Sequence, residues 1–331
     1  MATIYDVAQL AEVSHTSVSA VINNKPIRMK EATRQRILGA AKALGYEANR
    51  AAQQLSTGKF NSIALCFAGT GTYIFQSMPT NQLVAGAVNS ASENGLCVLF
   101  APTRHAYTFD EMIARLPSQG VDGAVVIGPI SLPESGTSAI SRCSIPLVCI
   151  DANPGLVSVS TVDTDNFAGM RMGVEQLISA GHKKMAYIGP TLMYQCLIDR
   201  MRGFYQAVQD AGLPLADQET HILPIKDVPA VVRQSVEAIN GPTALVCAEE
   251  ETAYTVLDEA ARLGLSIPGD LSILSYDDVP GHVLSESTNI IRNDFLKMGE
   301  AATDLVWKLI NRECTGPVAI RLLPEILMRT N

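Results

Sequence analysis

Residues 3–22 read Thr-Ile-Tyr-Asp-Val-Ala-Gln-Leu-Ala-Glu-Val-Ser-His-Thr-Ser-Val-Ser-Ala-Val-Ile. Ile4, Val7, Ala8 and Ala11 recur at i, i+3, i+4 and i+7, the spacing that lines one face of a helix. Thr3 can accept from the first-turn backbone, and Asp6, three residues on, can answer it. Val13-Ser14 breaks the pattern. Ser14 then caps a second helix from His15 to about Ile22, with Val18, Val21 and Ile22 expected inward. Asn23-Asn24-Lys25-Pro26 ends it. A third helix is predicted from about Glu31 to Leu44, with Ile37, Leu38, Ala41 and Leu44 inward and Gly45 just past its end. Three short helices, the first two joined by a tight turn, make a helix-turn-helix unit. About 45 residues build little core, so the unit is expected to lean on a partner or on nucleic acid.

Outward from this head, residues 48–60 read as a linker. Asn49 can cap a helix of one to two turns ending near Leu55, with Gly58 as a stop; so short a helix forms only with outside support. From residue 61 the pattern becomes apolar runs alternating with helical stretches. Strands are predicted at 63–67, 96–100, 123–127, 146–150, 184–188, 220–223, 244–247 and 271–276. Helices are predicted at 82–93, 109–116, 166–180, 199–211, 228–239, 250–263 and 295–311. The runs are continuously apolar, as parallel strands covered on both faces require. Repeated βα units predict α/β architecture with doubly wound parallel sheets, and about 270 residues suit two similar lobes. The expected division is a head at 1–47, a hinge at 48–60 and a two-lobed body at 61–331. Ligands of such bodies lie in the crevice at the carboxyl ends of the strands.

The chain has 331 residues, 47% of them hydrophobic and 18% charged, enough for a sizeable core. No apolar run reaches the length of a membrane helix, and the start Met1-Ala2-Thr3-Ile4 does not resemble a secretory leader. The seven cysteines are scattered without a Cys-x-x-Cys pair and are read as reduced core residues of a cytoplasmic protein. No metal site and no cofactor are expected. Charge is uneven: residues 1–60 hold eight Lys/Arg and four Asp/Glu, net +4, whereas the remainder holds 17 and 29, net −12. A basic head on an acidic body suits a polyanion partner met by the head alone.

The head resembles that of the lactose-repressor/galactose-repressor family. The likeness is carried by residues 3–11, by Val13-Ser14 and Val18-Ser19, by Asn23, Thr33-Arg34, Leu44-Gly45-Tyr46 and Asn49, and by residues 52–55. The body follows in order: Val121-Asp122-Gly123, Ile145-Pro146, Val162-Asp163, Gly181-His182-Lys183, Arg202-Gly203-Phe204, residues 264–268, Tyr276-Asp277-Asp278 and Met298-Gly299. The resemblance implies a DNA-binding head, a hinge helix, a body like periplasmic sugar-binding proteins of type I, and a homodimer.

It places His15, Thr16 and Ala20 toward base edges. Thr3, Tyr5, Ser14, Ser17, Ser19, Asn23, Arg28 and Thr33 also fall on the DNA side. It gives Asn49, Ala52 and Leu55 to the hinge, with Leu55 as a wedge in the minor groove. For a small-molecule effector it implies Tyr73, Phe75, Asp163, Arg200, Glu249 and Asp277. Departures are instructive. Glu12 replaces a usual turn glycine, so the turn must avoid positive φ or accept strain. Ala20 replaces a frequent arginine, removing a possible guanine contact. Glu249-Glu250 replaces a usual amide and acid, Val228 stands near a usual sugar-stacking aromatic, and residues 69–75 differ in length.

An enzyme reading fares worse. Gly69 and Gly71 follow the first body strand, but Ile74 stands where a third glycine belongs in a dinucleotide fingerprint. Ser56 and Lys59 match Ser-x-x-Lys only by chance on a basic linker. Nothing beyond Asn331 supplies a heptad tail, so a coiled-coil tetramer is not expected. The reading is a cytoplasmic, non-enzymatic transcriptional regulator. It is a repressor in preference to an activator, binding double-stranded operator DNA as a homodimer. A sugar or sugar derivative acts as effector, as inducer or as co-repressor.

Overall fold

The computed structural model describes residues 2–23, 26–46, 58–70, 78–103, 109–130, 139–152, 159–191, 194–278 and 285–329. The chain divides into two units, Met1–Asn61 with Gly120–Asp122, and Ser62–Gln119 with Gly123–Asn331.

The first unit holds α1 (Ile4–Leu10), α2 (His15–Ile22) and α3 (Glu31–Ala43). Thr3 Oγ1 accepts from the Asp6 N–H at 3.3 Å and Asp6 Oδ2 accepts from the Thr3 N–H at 2.7 Å, closing the expected reciprocal cap. Val7, Ala8, Ala11, Val18, Val21, Ile37, Ala40 and Ala41 form its core, with Ile22 at the margin. Leu38 and Leu44, expected inward, are exposed. At 100° per residue Leu38 lies off the Ile37–Ala41 line, and Ala40 takes the inward place. The turn after α1 does accept positive φ: Glu12 sits at +50°. Val13 N–H donates to the Ala8 carbonyl, which closes the turn around that left-handed residue. Farther along, the Phe60 N–H donates to Asp122 Oδ1 at 2.9 Å.

The second unit runs β1 (Ser62–Thr70), α4 (Met78–Glu93), β2 (Cys97–Thr103), α5 (Phe109–Arg115), β3 (Gly123–Ile130), β4 (Leu147–Ala152) and β5 (Ser160–Thr164). It continues through α6 (Asn166–Ser179), β6 (Met185–Gly189), α7 (Gln195–Asp210), β7 (Glu219–Ile222), α8 (Val228–Glu237), β8 (Ala244–Cys247) and α9 (Glu250–Arg262). It ends with β9 (Ser272–Tyr276), β10 (Asn289–Arg292), α10 (Phe295–Ile310), β11 (Ala319–Leu322) and β12 (Glu325–Leu327). Two six-stranded sheets result, ordered β11-β5-β4-β3-β1-β2 and β12-β10-β9-β8-β6-β7. All pairings are parallel except β10 with β12. The chain passes between sheets after Thr164, after Arg292 and after Leu322, so three strands link the lobes.

The four strands not predicted, β5, β10, β11 and β12, share a cause. β5 alternates buried and half-buried residues, β11 and β12 are exposed sheet-edge strands, and β10 is only Asn-Ile-Ile-Arg. None is a long apolar run. α4 and α7 each start four residues before the predicted 82 and 199. Glycines let the helices close. A Cβ on Gly86 of α4 would lie 1.9 Å from the Leu296 carbonyl oxygen of α10, and one on Gly299 of α10 would lie 2.1 Å from that of Leu83. None of the seven cysteines is in a disulfide; Cys66, Cys149 and Cys247 are buried, and the others are half-buried. Among the described residues no helix is long and apolar enough to cross a membrane.

Candidate functional site

Two clusters of the expected site residues are built by the fold. The first is α2. Its cap, Ser14, accepts from the Ser17 N–H at 3.2 Å and shares hydroxyl hydrogen bonds with Thr16 (2.7 Å) and Ser17 (2.9 Å). Val18 and Val21 anchor the opposite face in the core. His15 and Thr16 are therefore exposed at the helix start, and Ala20, one turn past Thr16, is half-buried. The Tyr5 ring lies 5.2 Å from the His15 ring, centroid to centroid, so α1 adds an aromatic edge to this face. Asn23 Nδ2 donates to Ser19 Oγ at 3.2 Å. Arg28 is exposed and Thr33 half-buried at the start of α3. Asn49, Ala52, Leu55, Tyr73 and Phe75 lie outside the described residues.

The second cluster surrounds Arg200, on the inward face of α7. The residue is 8% exposed. Its Nε donates to Asn166 Oδ1 at 2.8 Å and its Nη1 to the Ala248 carbonyl at 2.7 Å. Its guanidinium carbon stands 3.6 Å from the centre of the Tyr276 ring, a cation–π contact. Nη2 is 3.9 Å from Asp277 Oδ2. The geometry thus fixes the plane of the fork with neutral partners and leaves its charge to the acids around it.

Asp277 follows β9 directly. It accepts from the Asn293 N–H and from Asn293 Nδ2, both at 3.1 Å. Burial pushes its carboxyl up to about 7, against the pull of Arg200 and with Glu250 adding to the rise. Glu249, two residues past β8, is also pushed up to about 7, by burial first and then by Glu250, again against Arg200. Burial outweighs the charges when acids outnumber the cation. A third acid was not foreseen. Asp151 of β4, from the other lobe, is raised by burial and held back by Arg200. Its signal was present: Val148-Cys149-Ile150-Asp151 is an apolar run ending on an acid, the same pattern as residues 273–277.

Asp163 lies inside β5, in register with Arg321 of β11, and its field acts on Cys149. Val228 is 1% exposed and packs in a core cluster with Val232, Leu245 and Ala253, so it does not face the crevice. Beside Asp277 opens a cavity of about 460 Å³, lined by Met78 and Gln82 of α4 and by Asp277, Arg292, Asn293 and Phe295. Arg292 is forked onto Asp278 at 2.7 and 2.8 Å. Among the described residues no group of His, Cys, Asp and Glu could hold a metal ion. A fixed guanidinium ringed by acceptors suits a small ligand rich in hydrogen-bond donors.

A capped, exposed recognition-type helix and a two-lobed crevice in one chain define a DNA-binding transcriptional regulator under the control of a small-molecule effector. Residues 3–49 match the model of bacterial regulatory proteins of the lacI family, and residues 174–330 match a periplasmic binding protein-like domain. The chain thus joins a head of the lacI family of bacterial regulatory proteins to a periplasmic binding protein-like domain. It is 26% identical over 334 residues to the HTH-type transcriptional repressor PurR of Histophilus somni, covering 99% of this chain and 98% of that one. It is 26% identical over 336 residues to the transcriptional regulator CelR of Thermobifida fusca, covering 99% and 97%. Among solved structures, a CelR–cellobiose complex superposes with a TM-score of 0.71 at 24% identity, covering 99% of both chains. A lac repressor dimer bound to operator and an anti-inducer superposes with a TM-score of 0.78 at 22% identity, covering 99% and 98%.

Proposed function

We propose that the protein is a dimeric cytoplasmic repressor that binds rather than catalyses. Its effector, a sugar or sugar derivative, is held at Arg200, Asp277, Glu249 and Asp151. The observation that supports this assignment is one guanidinium met by acids from both lobes. A ligand completing that cluster favours one lobe arrangement over another, and its differential affinity is the only energy available for regulation. The lobe shift is passed to operator DNA through the hinge at residues 48–60, with Asn49, Ala52 and Leu55 engaging the minor groove. His15, Thr16 and Ala20 of α2 face bases. Tyr5, Ser14, Ser17, Ser19, Asn23, Thr3, Arg28 and Thr33 position the head on the backbone.

The test begins with a thermal-shift screen of sugars, sugar phosphates and nucleosides on the full chain. Effector affinity and operator affinity are then measured for Arg200→Lys and Asp277→Asn. Both variants should keep operator binding and lose its response to the effector. Unchanged effector affinity in both would overturn the crevice assignment.

A further inference from the structure

We infer that the ligand at Arg200 carries a protonated amine, read by the carboxylates of Asp151, Glu249 and Asp277. This rests on the crevice assignment above and deepens it.

Three strand ends deliver acids to one place. Asp151 is one residue from the end of β4, Glu249 two past β8, and Asp277 one past β9. Asp151 and Asp277 hold φ of +56° and +69°, a left-handed backbone that side-chain-bearing residues avoid unless their surroundings fix it. Glu249 heads α9 without a cap bond from its side chain to the helix backbone; its carboxylate accepts from the Thr252 side chain, which leaves further acceptor sites on it. The fixed cation among them is Arg200, and its Nε and Nη1 are engaged by neutral oxygens.

Asn293 adds a further acceptor. Its N–H and its Nδ2 both point at Asp277, which fixes the amide's orientation and turns Oδ1 away. That oxygen has no partner among the described residues, in a side chain 6% exposed that lines the cavity shared with Asp277. The remaining titratable groups acting on these acids are Tyr187, Cys196, Glu250, Glu251 and Tyr276, and the adjoining cavity adds the cations Arg292 and Arg329 against the acids Asp278 and Glu286, so acids still outnumber cations. Acceptors and negative charge exceed donors and positive charge. The complement is a cation bearing N–H groups on a hydroxyl-rich frame, such as an amino sugar. The upward displacement of Glu249 and Asp277 is driven by burial, which the one Arg200 they share does not offset.

An amine and a neutral polyol differ in their proton balance. At pH 7 an amine would bind the ionised carboxyls and drive protons off the fraction still protonated. A polyol would leave the protons in place. The experiment is titration calorimetry of the full chain with glucosamine, galactosamine and mannosamine, their N-acetyl forms and the parent hexoses. It is run at pH 7 in two buffers of different ionisation enthalpy. At least one amine should bind ten-fold or more tightly than its acetylated form, with net proton release. Glu249→Gln should cut that preference at least ten-fold, and Asp151→Asn should do the same.

Equal binding of amine and acetylated forms, binding of the amine without proton release, or no binding of any amine overturns the inference. A neutral hexose whose binding is weakened by Arg200→Lys would overturn the amine and leave the crevice standing. An amine indifferent to Glu249→Gln and to Arg200→Lys would overturn both.

Discussion

Gly203 of α7 lies against the backbone of α6, where a Cβ on it would stand 2.4 Å from the Phe167 carbonyl oxygen and 3.1 Å from the Arg171 nitrogen. Arg200 is one turn earlier on the same buried face, and Asn166, its partner at 2.8 Å, is the residue before Phe167. The close approach that glycine permits is thus the same approach that holds the guanidinium. Gly203→Ala should force the helices apart and cost about 1–3 kcal/mol through overpacking. Urea unfolding measures this, and effector affinity should fall with it. An unchanged midpoint would mean that α7 relaxes freely and that Arg200 is positioned by Ala248 and Tyr276 instead.

Glu12 is exposed with φ of +50°. A left-handed conformation costs an ordinary residue about 1–2 kcal/mol, and glycine offsets this partly by the extra entropy of its unfolded chain. Glu12→Gly should therefore stabilise the first unit by up to about 1 kcal/mol. Hydrogen exchange at the buried Val7 and Val18 amides would record slower opening. Faster exchange would show that the Glu12 side chain makes a stabilising contact that outweighs the strain.

Ala20→Arg should alter sequence preference, not affinity alone. Position 20 is one helical turn beyond the exposed Thr16. An arginine there reaches a guanine with two hydrogen bonds, worth about 1–3 kcal/mol of discrimination. Selection of binding sites from a random duplex pool by parent and variant would show one half-site position shifting to guanine. A uniform gain across all sequences would indicate a phosphate contact and a different docking of α2.

Glu249 and Asp277 give the ligand-free protein a pH signature. Both are carboxyls pushed up to about 7 by burial. Below about pH 4 both folded and unfolded chains hold these protons, so stability is unaffected. Between about 4 and 7 the unfolded chain loses them and the folded chain retains them, so the folded chain binds more protons and its stability falls as pH rises. Above 7 the loss is complete. The melting temperature should decline over that window, and Glu249→Gln should flatten part of the decline. An identical slope in the variant would place the Glu249 carboxyl in water.

The sequence by itself determined the head and the class of the body. Capping residues, turn residues and 3.6-residue periodicity act within about ten positions, so Thr3, Ser14 and Gly45 are legible without any tertiary contact. Continuous apolar runs likewise announced the central strands of both sheets, because burial on two faces leaves no room for alternation. Edge strands such as β11 escaped, since a half-exposed Ala-Ile-Arg-Leu carries no such mark. Arg200 and Asp277 were legible only through the family resemblance, with no local rule pointing to them. That they meet Asp151 was decided by the tertiary structure alone. Asp151 and Arg200 lie on different lobes, joined by three crossing strands, and their encounter depends on sheet order and on Gly203 admitting α7 against α6. Burial, and hence the displaced titration of Glu249 and Asp277, follows from that packing. It is a property of the enclosed crevice and of no single stretch of chain.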